Sequence, residues 1–537
     1  MIAAMASLAT RAAALSSQDA ASIVRLLHDF LLENPQAQVL EDGRVLFDLQ
    51  LARFSLTAER GRCLWHLWSE ERNLVRTVSS VRERKNSLRI ETVRLGQSKP
   101  QVLELVSGRD RCAPSTRRIL RERFLRVFER LLCREFPECA IDSLIAAPDL
   151  ENSFGPGYVR GLLRRGQTAW AVIAAGPEES PATIDGILTL GILWLAWCRA
   201  HGNGRTVLAG LKIFVPEGQE QLTRRRLAWL HPRIASWELY AVDAKSEGCC
   251  SVSPAEIGLA EPRLLHAFNP AAAIDRCQSG LDRLSRLMPP GLREVAEVRA
   301  NSPAEVSLAL HGLEFARVRQ GFSSHSFAPT DEITFGAGAN ETPLTDETEA
   351  LFCDLIQQLG EHRRAGNHRR NPLYRLQPER WLESVLRRNL EEIDTALCPG
   401  PIYTQVAAMG TADRGLLDLL AVTRSGRLAI VEVKADDDLQ LPLQSLDYWA
   451  RVRELQQQGS LTSHGYFQGM ELSATPPLLY LVSPILRVHP ATDTVLAHLS
   501  PEIPWQVVGV GEDWKTQLRV IARKKSEGWA SRLSSSI

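Results

Sequence analysis

Along this chain the apolar positions switch between a helical period and a strand period, and the switches divide it into segments. Apolar residues recur at helical spacing from about Ser17 to Glu33. From 38 to 107 they alternate or run in short blocks, Val45 to Leu49, Arg53 to Thr57, Cys63 to Trp68 and Ser87 to Val93, between Asp-Gly, Arg-Gly and Lys-Asn turns. That pattern predicts a small all-β sandwich or half-barrel. Beyond 115, helical stretches alternate with wholly apolar runs that read as buried strands. Residues 245–300 read as helical and irregular, and Ala304 to Leu310 and Leu313 to Val318 form a hairpin about His311-Gly312. A Ser, Gly and Pro-rich stretch from Phe322 to Glu341 precedes a helix from Thr345 to Leu359.

One apolar hairpin carries charge where a buried strand should carry none. Gly415 to Val422 and Leu428 to Lys434 flank a turn holding Ser425-Gly426. Side chains alternate across a strand, so Leu428, Ile430, Glu432 and Lys434 share one face. Pairing of the two strands brings Asp418 beside Glu432. Two carboxylates in an apolar sheet repel each other unless protons or cations are shared. Mg²⁺ suits such a place, since it takes oxygen ligands and commonly only one or two carboxylates. Asp418, Glu432 and the backbone carbonyl of Val433 supply that set, and Lys434 stands where it can orient water and neutralise charge developing on a phosphate. Downstream, Leu441 to Trp449 opens a helix with Pro442 in its first turn, and Gln444 and Tyr448 share one face of it. Upstream, Pro378 to Glu383 begins another helix, on which Glu379 and Glu383 share a face.

A helical Glu, an Asp, Glu-x-Lys on a hairpin and Gln-x-x-x-Tyr on a helix together resemble the PD-(D/E)XK nuclease superfamily, the last element its RecB-like and NucS-like branches. The resemblance covers roughly residues 377 to 511. It implies Asp418 and Glu432 as metal ligands, Lys434 as the catalytic lysine, Glu379 or Glu383 as the helical acid, and Gln444 and Tyr448 as accessory active-site residues. Leu417 stands where the family name has its proline. The implied cofactor is Mg²⁺ or Mn²⁺, and the implied substrate DNA, with single strands or distorted duplexes favoured.

Residues 121 to 243 read as a second copy of 378 to 511 that has lost its chemistry. Arg121 to Leu125 parallels Pro378 to Leu382, Arg160 to Leu163 parallels Arg414 to Leu417, and Ala169 to Ala175 parallels Leu428 to Lys434. Leu211 to Pro216 and Trp237 to Asp243 parallel Leu478 to Pro484 and Trp505 to Gly511. In this alignment Arg164, Ile173 and Ala175 fall at the positions of Asp418, Glu432 and Lys434.

The fold class expected is therefore α/β, a multi-domain α+β chain. It has a restriction-endonuclease-like core of central mixed sheet flanked by helices, present twice, and an N-terminal all-β domain. The segments are 1–37 helical, 38–110 all-β, 115–245 degenerate nuclease-like, 246–370 connector with a basic linker, 371–515 nuclease and 516–537 tail.

Charge refines the picture. The 537 residues hold 63 basic and 63 acidic side chains, so a nucleic-acid face must be a local concentration of Arg. The densest run is Glu361 to Pro372, just before the hairpin module, and Arg363, Arg364, Arg369 and Arg370 together with Arg414 are the expected DNA contacts. A second mixture, Arg53, Arg76, Arg82, Arg84, Arg89 and Arg94 with Trp65 and Trp68, reads better as a packed sheet with core aromatics and solvated arginines. Asp436, Asp437 and Asp438 read as a solvated loop with helix-start acids. The ten cysteines include no Cys-x-x-Cys pair, which excludes common zinc and iron-sulfur frameworks and fits scattered thiols in a reducing cytoplasm. Residues 1–17 lack the basic start and Leu-rich centre of a secretory signal. The apolar run Ile187 to Cys198 is shorter than the ~20 residues that span a bilayer and reads as a core helix; no membrane contact is expected.

The expected function is a metal-dependent DNA endonuclease, a phosphodiester hydrolase acting in repair or defence. The alternatives are a catalytically silent nucleic-acid scaffold and an assembly protein that forms a homodimer through the Ile184 to Arg199 helix.

Overall fold

The computed structural model describes residues 20–526 apart from short intervals, the longest being 95–100, 108–113, 255–263, 323–328 and 407–416. The chain is mixed α+β and divides into two compact units, residues 1–122 with 339–342 and the remainder.

The first unit holds one seven-stranded antiparallel sheet, in the order Arg44–Asp48, Gln38–Glu41, Gln101–Val106, Ser87–Arg94, Asn73–Arg84, Arg62–Trp68 and Arg53–Glu59. Of the expected sandwich or half-barrel, the sandwich is ruled out by a single sheet, and the helix Ala20–Glu33 supplies the second layer. Ile23, Leu27 and Leu31, at helical spacing, pack with Trp65, Leu67, Ile90 and Leu105. Trp65 is fully buried, as the packed-sheet reading requires. Arg76, expected to be solvated, is buried as well and lies 3.6 Å from Glu41.

The second unit contains three sheets. The two outer modules are built alike. In the first, helix α1 (Pro114–Glu135) precedes β1 (Ala140–Ile145), β2 (Tyr158–Arg165) and β3 (Thr168–Ala175). Helix α2 (Ile187–Ala200), β4 (Val207–Pro216), α3 (Gln221–Leu227), β5 (Ser236–Asp243) and β6 (Gly248–Val252) follow. In the second, α4 (Pro378–Arg388) precedes β7 (Tyr403–Val406), β8 (Leu417–Val422) and β9 (Leu428–Val433). Helix α5 (Leu441–Gln457), β10 (Leu478–Pro484), α6 (Thr492–Ala497), β11 (Trp505–Val510) and β12 (Val520–Lys525) follow. Each sheet is ordered as its strands occur in the chain. Each has two antiparallel pairings, two parallel ones and a final antiparallel one. The last strand of each sheet lies beyond the expected boundary: β6 past residue 245, and β12 in the segment read as a tail. Both are short and partly exposed, so they lack the apolar run that betrays a central strand.

Register also repeats. Ile173 faces Ile213 as Glu432 faces Leu481, and Ile213 faces Leu239 as Leu481 faces Val507. On the other side Ile173 pairs with Arg160, and the β8–β9 register, Leu419 with Val431 and Leu420 with Ile430, carries Asp418 to Glu432. Arg160, not Arg164, therefore stands at the position of Asp418. The four-residue offset from Arg164 follows from turn length: register counts from the turn, and β2 and β3 are joined by Gly166-Gln167 alone. Arg164 instead pairs with Asp142 at the surface.

The two sheets share one core. Ala171, Ile173, Leu211 and Ile213 on one side, and Leu420, Ile430, Leu479 and Leu481 on the other, face α2 and α5 in a single apolar cluster. Each Leu or Ile among them contributes about 1.5–3 kcal/mol when fully buried. The opposite faces are covered by α1, through Phe128 and Leu131, and by α4, through Trp381, Leu382 and Leu386. Contacts across the middle are reciprocal: α3 packs on α5 and α6 on α2. Leu230, after α3, bridges Leu499, after α6. His231 N–H donates to His498 O at 2.9 Å, and Ser500 N–H to Trp229 O at 2.8 Å. The modules thus face each other about an approximate two-fold axis. The α2 surface weighed above as a homodimer seat is occupied by the chain's own second module.

The third sheet, five-stranded, lies between them in sequence and packs on helices Pro270–Arg276, Gln278–Leu287 and Glu349–His362. Its hairpin at His311-Gly312 is where the pattern predicted. Among the described residues no helix is long and apolar enough to cross a membrane, and the described cysteines are free thiols.

An ion pair with a buried arginine fastens the modules: Arg226 of α3 meets the partly buried Asp447 of α5 at 2.7 Å and also donates to Asp185 O. Removing one partner strands the other charge. Asp447→Ala should therefore lower unfolding free energy by about 3 kcal/mol, read as a reduced denaturant midpoint.

Candidate functional site

Four segments meet where β8 begins and β9 ends. Asp418 lies partly buried on β8, and its Oδ2 accepts the Val433 N–H at 2.9 Å. Glu432 on β9 is only 4% exposed, and its Oε2 is buried with no hydrogen-bond partner. Lys434 follows the last residue of β9, with Nζ 3.6 Å from Glu379 Oε1 and 3.6 Å from Asp438 Oδ2. Glu383, one turn beyond Glu379 on α4, is 1% exposed; Arg380 donates to its Oε2 at 2.7 Å, while Oε1 is buried and unpartnered.

The electrostatics follow from that crowding. Burial, with the Glu383 charge adding to it and the Val433 N–H opposing it, pushes Asp418 up to about 6. Burial and the neighbouring Asp418 push Glu432 well above the usual carboxylate range. Burial works against the charge of Lys434, yet Glu379, Asp438, Glu432 and Asp418 outweigh it and hold the ammonium above its ordinary value. The site is acid-rich, with Lys434 and Arg380 as its cations, and it carries two buried carboxylate oxygens with no hydrogen-bond partner.

Those oxygens fit a hard divalent cation. Among the described residues no three His, Cys, Asp or Glu side chains are grouped closely enough to bind a metal by themselves; Mg²⁺ commonly takes one or two carboxylates and fills the rest with water or phosphate oxygens. Asp418 and Glu432, with the Val433 carbonyl at the strand end, are the residues that would hold it.

Of the residues expected here, Asp418, Glu432, Lys434 and Glu379 are gathered together. Both helical acids face the cluster by different routes: Glu379 is 46% exposed and pairs with Lys434, whereas Glu383 is buried and raises Asp418. Gln444 and Tyr448 lie half-buried on α5, which packs over the β9 and β10 face. Asp438, read as solvated, was missed: it stands against Lys434 while its Oδ1 accepts the Gln440 N–H. The four-residue spacing from Lys434 was the available signal.

The Arg run divides. Arg363 is fully buried, so its reading as a DNA contact is corrected. It donates to the carbonyls of Leu310, His311, Leu373 and Leu376, with its guanidinium 4.7 Å from the Trp381 ring centroid. Burial in an apolar setting selects Arg for this task because its fork can satisfy several carbonyls at once. Arg363 thereby ties the hairpin tip to the start of α4. Gly312 completes the joint: at φ +75° it lies so near α4 that a Cβ would fall 1.9 Å from Arg380 O. Arg364 is exposed. Arg369, Arg370 and Arg414 lie outside the described residues.

No protein-family model matches the chain, and neither a curated protein nor a solved structure does.

Because the folded-state value of Asp418 exceeds its ordinary 3.8, the fold favours the protonated acid. That preference is intact below about pH 4 and is lost as pH rises through about 6. Asp418→Asn, permanently neutral, keeps it. Without divalent cations, the variant should be more stable than wild type by about 3 kcal/mol at pH 7.5, and the gap should close towards pH 4; paired chemical denaturation at the two pH values measures it.

Proposed function

We propose that this chain is a Mg²⁺-dependent DNA endonuclease with a restriction-endonuclease-like core in its second module. One observation carries the reading: an unsatisfied Glu432 oxygen beside Asp418, at a strand end that also presents Lys434. Buried acids forced together, one with an unsatisfied oxygen, cost several kcal/mol unless something positive joins them, and a purely structural strand would replace them with apolar residues. A bound Mg²⁺ would act as Lewis acid towards the phosphate and make water a better nucleophile near neutral pH.

The chain's own residues take the remaining tasks. Asp418 is oriented by the Val433 N–H, so its carboxylate is preorganised. Lys434, held charged by Glu379 and Asp438, is a fixed cation for the charge that accumulates on the phosphate oxygens. Glu383 is positioned by Arg380 and keeps negative charge beside Asp418. Gln444 and Tyr448 are accessory groups on the helix above, and Arg364 is an exposed cation for backbone phosphates.

A silent nucleic-acid scaffold is the competing reading, favoured by the pairing of Lys434 with two acids, which also describes a static salt cluster. Cleavage separates them. Wild type with Mg²⁺ or Mn²⁺ should cut at least one of single-stranded, duplex, flapped or mismatched DNA, and Lys434→Ala and Asp418→Ala should each reduce the rate by more than about 100-fold while keeping wild-type circular dichroism. Mg²⁺ should also raise the unfolding midpoint of wild type but not of Asp418→Asn. DNA binding indifferent to Mg²⁺, with no cutting on the panel, would establish the scaffold instead.

A further inference from the structure

The repeated register sets a limit on what one chain can cut. Position by position, the first module has Arg160 for Asp418 and Ile173 for Glu432, and Ala175 follows where Lys434 follows. Arg160 is 3% exposed, its guanidinium sits 4.3 Å from the Phe154 ring centroid and 5.6 Å from that of Trp194, and Nη2 donates to Ala147 O at 2.9 Å. A fixed buried cation fills the place where the second module gathers acids. It repels a divalent ion, and Ile173 and Ala175 offer no side-chain ligand where Glu432 and Lys434 stand in the second module.

Two-fold related modules would each meet one strand of a duplex, since the strands are themselves related by two-fold axes. Here only one module carries chemistry. Resting on the nuclease reading, we infer that the chain cuts one strand of a duplex per binding event and releases nicked DNA. Each turnover adds one water across one P–O bond, giving one phosphomonoester end and one hydroxyl end; the water supplies the hydroxyl that joins phosphorus and the proton that the leaving oxygen takes. A double-strand break needs a second encounter or a second chain.

Supercoiled plasmid, incubated with Mg²⁺ and full-length chain below the plasmid concentration, tests this. Nicked circles should accumulate as supercoiled DNA is consumed, with linear DNA formed only from them. Linear product from the first time points, without a nicked intermediate, would overturn the inference and leave the nuclease reading standing. An uncut plasmid would overturn the inference, and the nuclease reading falls with it only if the single-stranded, flapped and mismatched substrates are uncut as well. A second readout needs no activity: electron paramagnetic resonance with Mn²⁺ alone should find tight sites in wild type and none in Asp418→Asn. Retention of a tight site in that variant would assign metal elsewhere and overturn the single-centre limit.

Discussion

Two carboxylates directly opposed across an antiparallel strand pair, inside an otherwise apolar sheet, are the constraint around which the second module is arranged. Coulomb repulsion and lost hydration both act against them. The surrounding structure meets part of that cost: the Val433 N–H reaches Asp418, and Lys434 brings positive charge to the strand end. It does not meet all of it, because Glu432 Oε2 and Glu383 Oε1 stay unsatisfied. Buried polar atoms are nearly always bonded, so two unsatisfied oxygens on neighbouring acids are a cost that this cluster carries in the fold.

Holding such a cluster requires a rigid frame, and most of the second unit serves as one. One face of the sheet is buried against α5 and the partner module; the other lies under α4. The start of α4 is in turn fastened by Arg363 and by the close approach of Gly312, so the middle domain fixes where Glu379 and Glu383 stand. A side chain that satisfies four carbonyls cannot be removed cheaply, which explains a fully buried arginine in a run that otherwise reads as a basic linker.

Much of this was legible in the residues. The acid-bearing hairpin, the apolar α2 helix, the His311-Gly312 turn and the repeated element order each have local signals, a period, a turn pair or a misplaced charge, and each occurs where its signal lies. What escaped were properties set by distant partners. Arg363 looks like any arginine of a basic run until Leu310 and Leu373 close around it. The one-sheet form of the N-terminal unit depends on a helix that precedes the strands and covers them. β12 has too few apolar positions to declare itself. Register failed where two hairpins differ in turn length, which shifted Arg164 into a position that belongs to Arg160.

That shift changes the meaning of the first module. With Arg164, an exposed residue, the lost site would be simply vacant surface. With Arg160, the same position holds a buried charge of opposite sign, stacked on Phe154 and backed by Trp194. Charge inversion at a buried site is not a neutral drift of surface residues, because an unpaired guanidinium there is costly unless the aromatic rings and the Ala147 carbonyl are present together. The first module carries a buried cation of its own at this position and contributes its share of the common core to the acidic module. Asymmetry between two otherwise matched modules is thus a built property of the fold: one register position holds a buried guanidinium in the first and a carboxylate in the second.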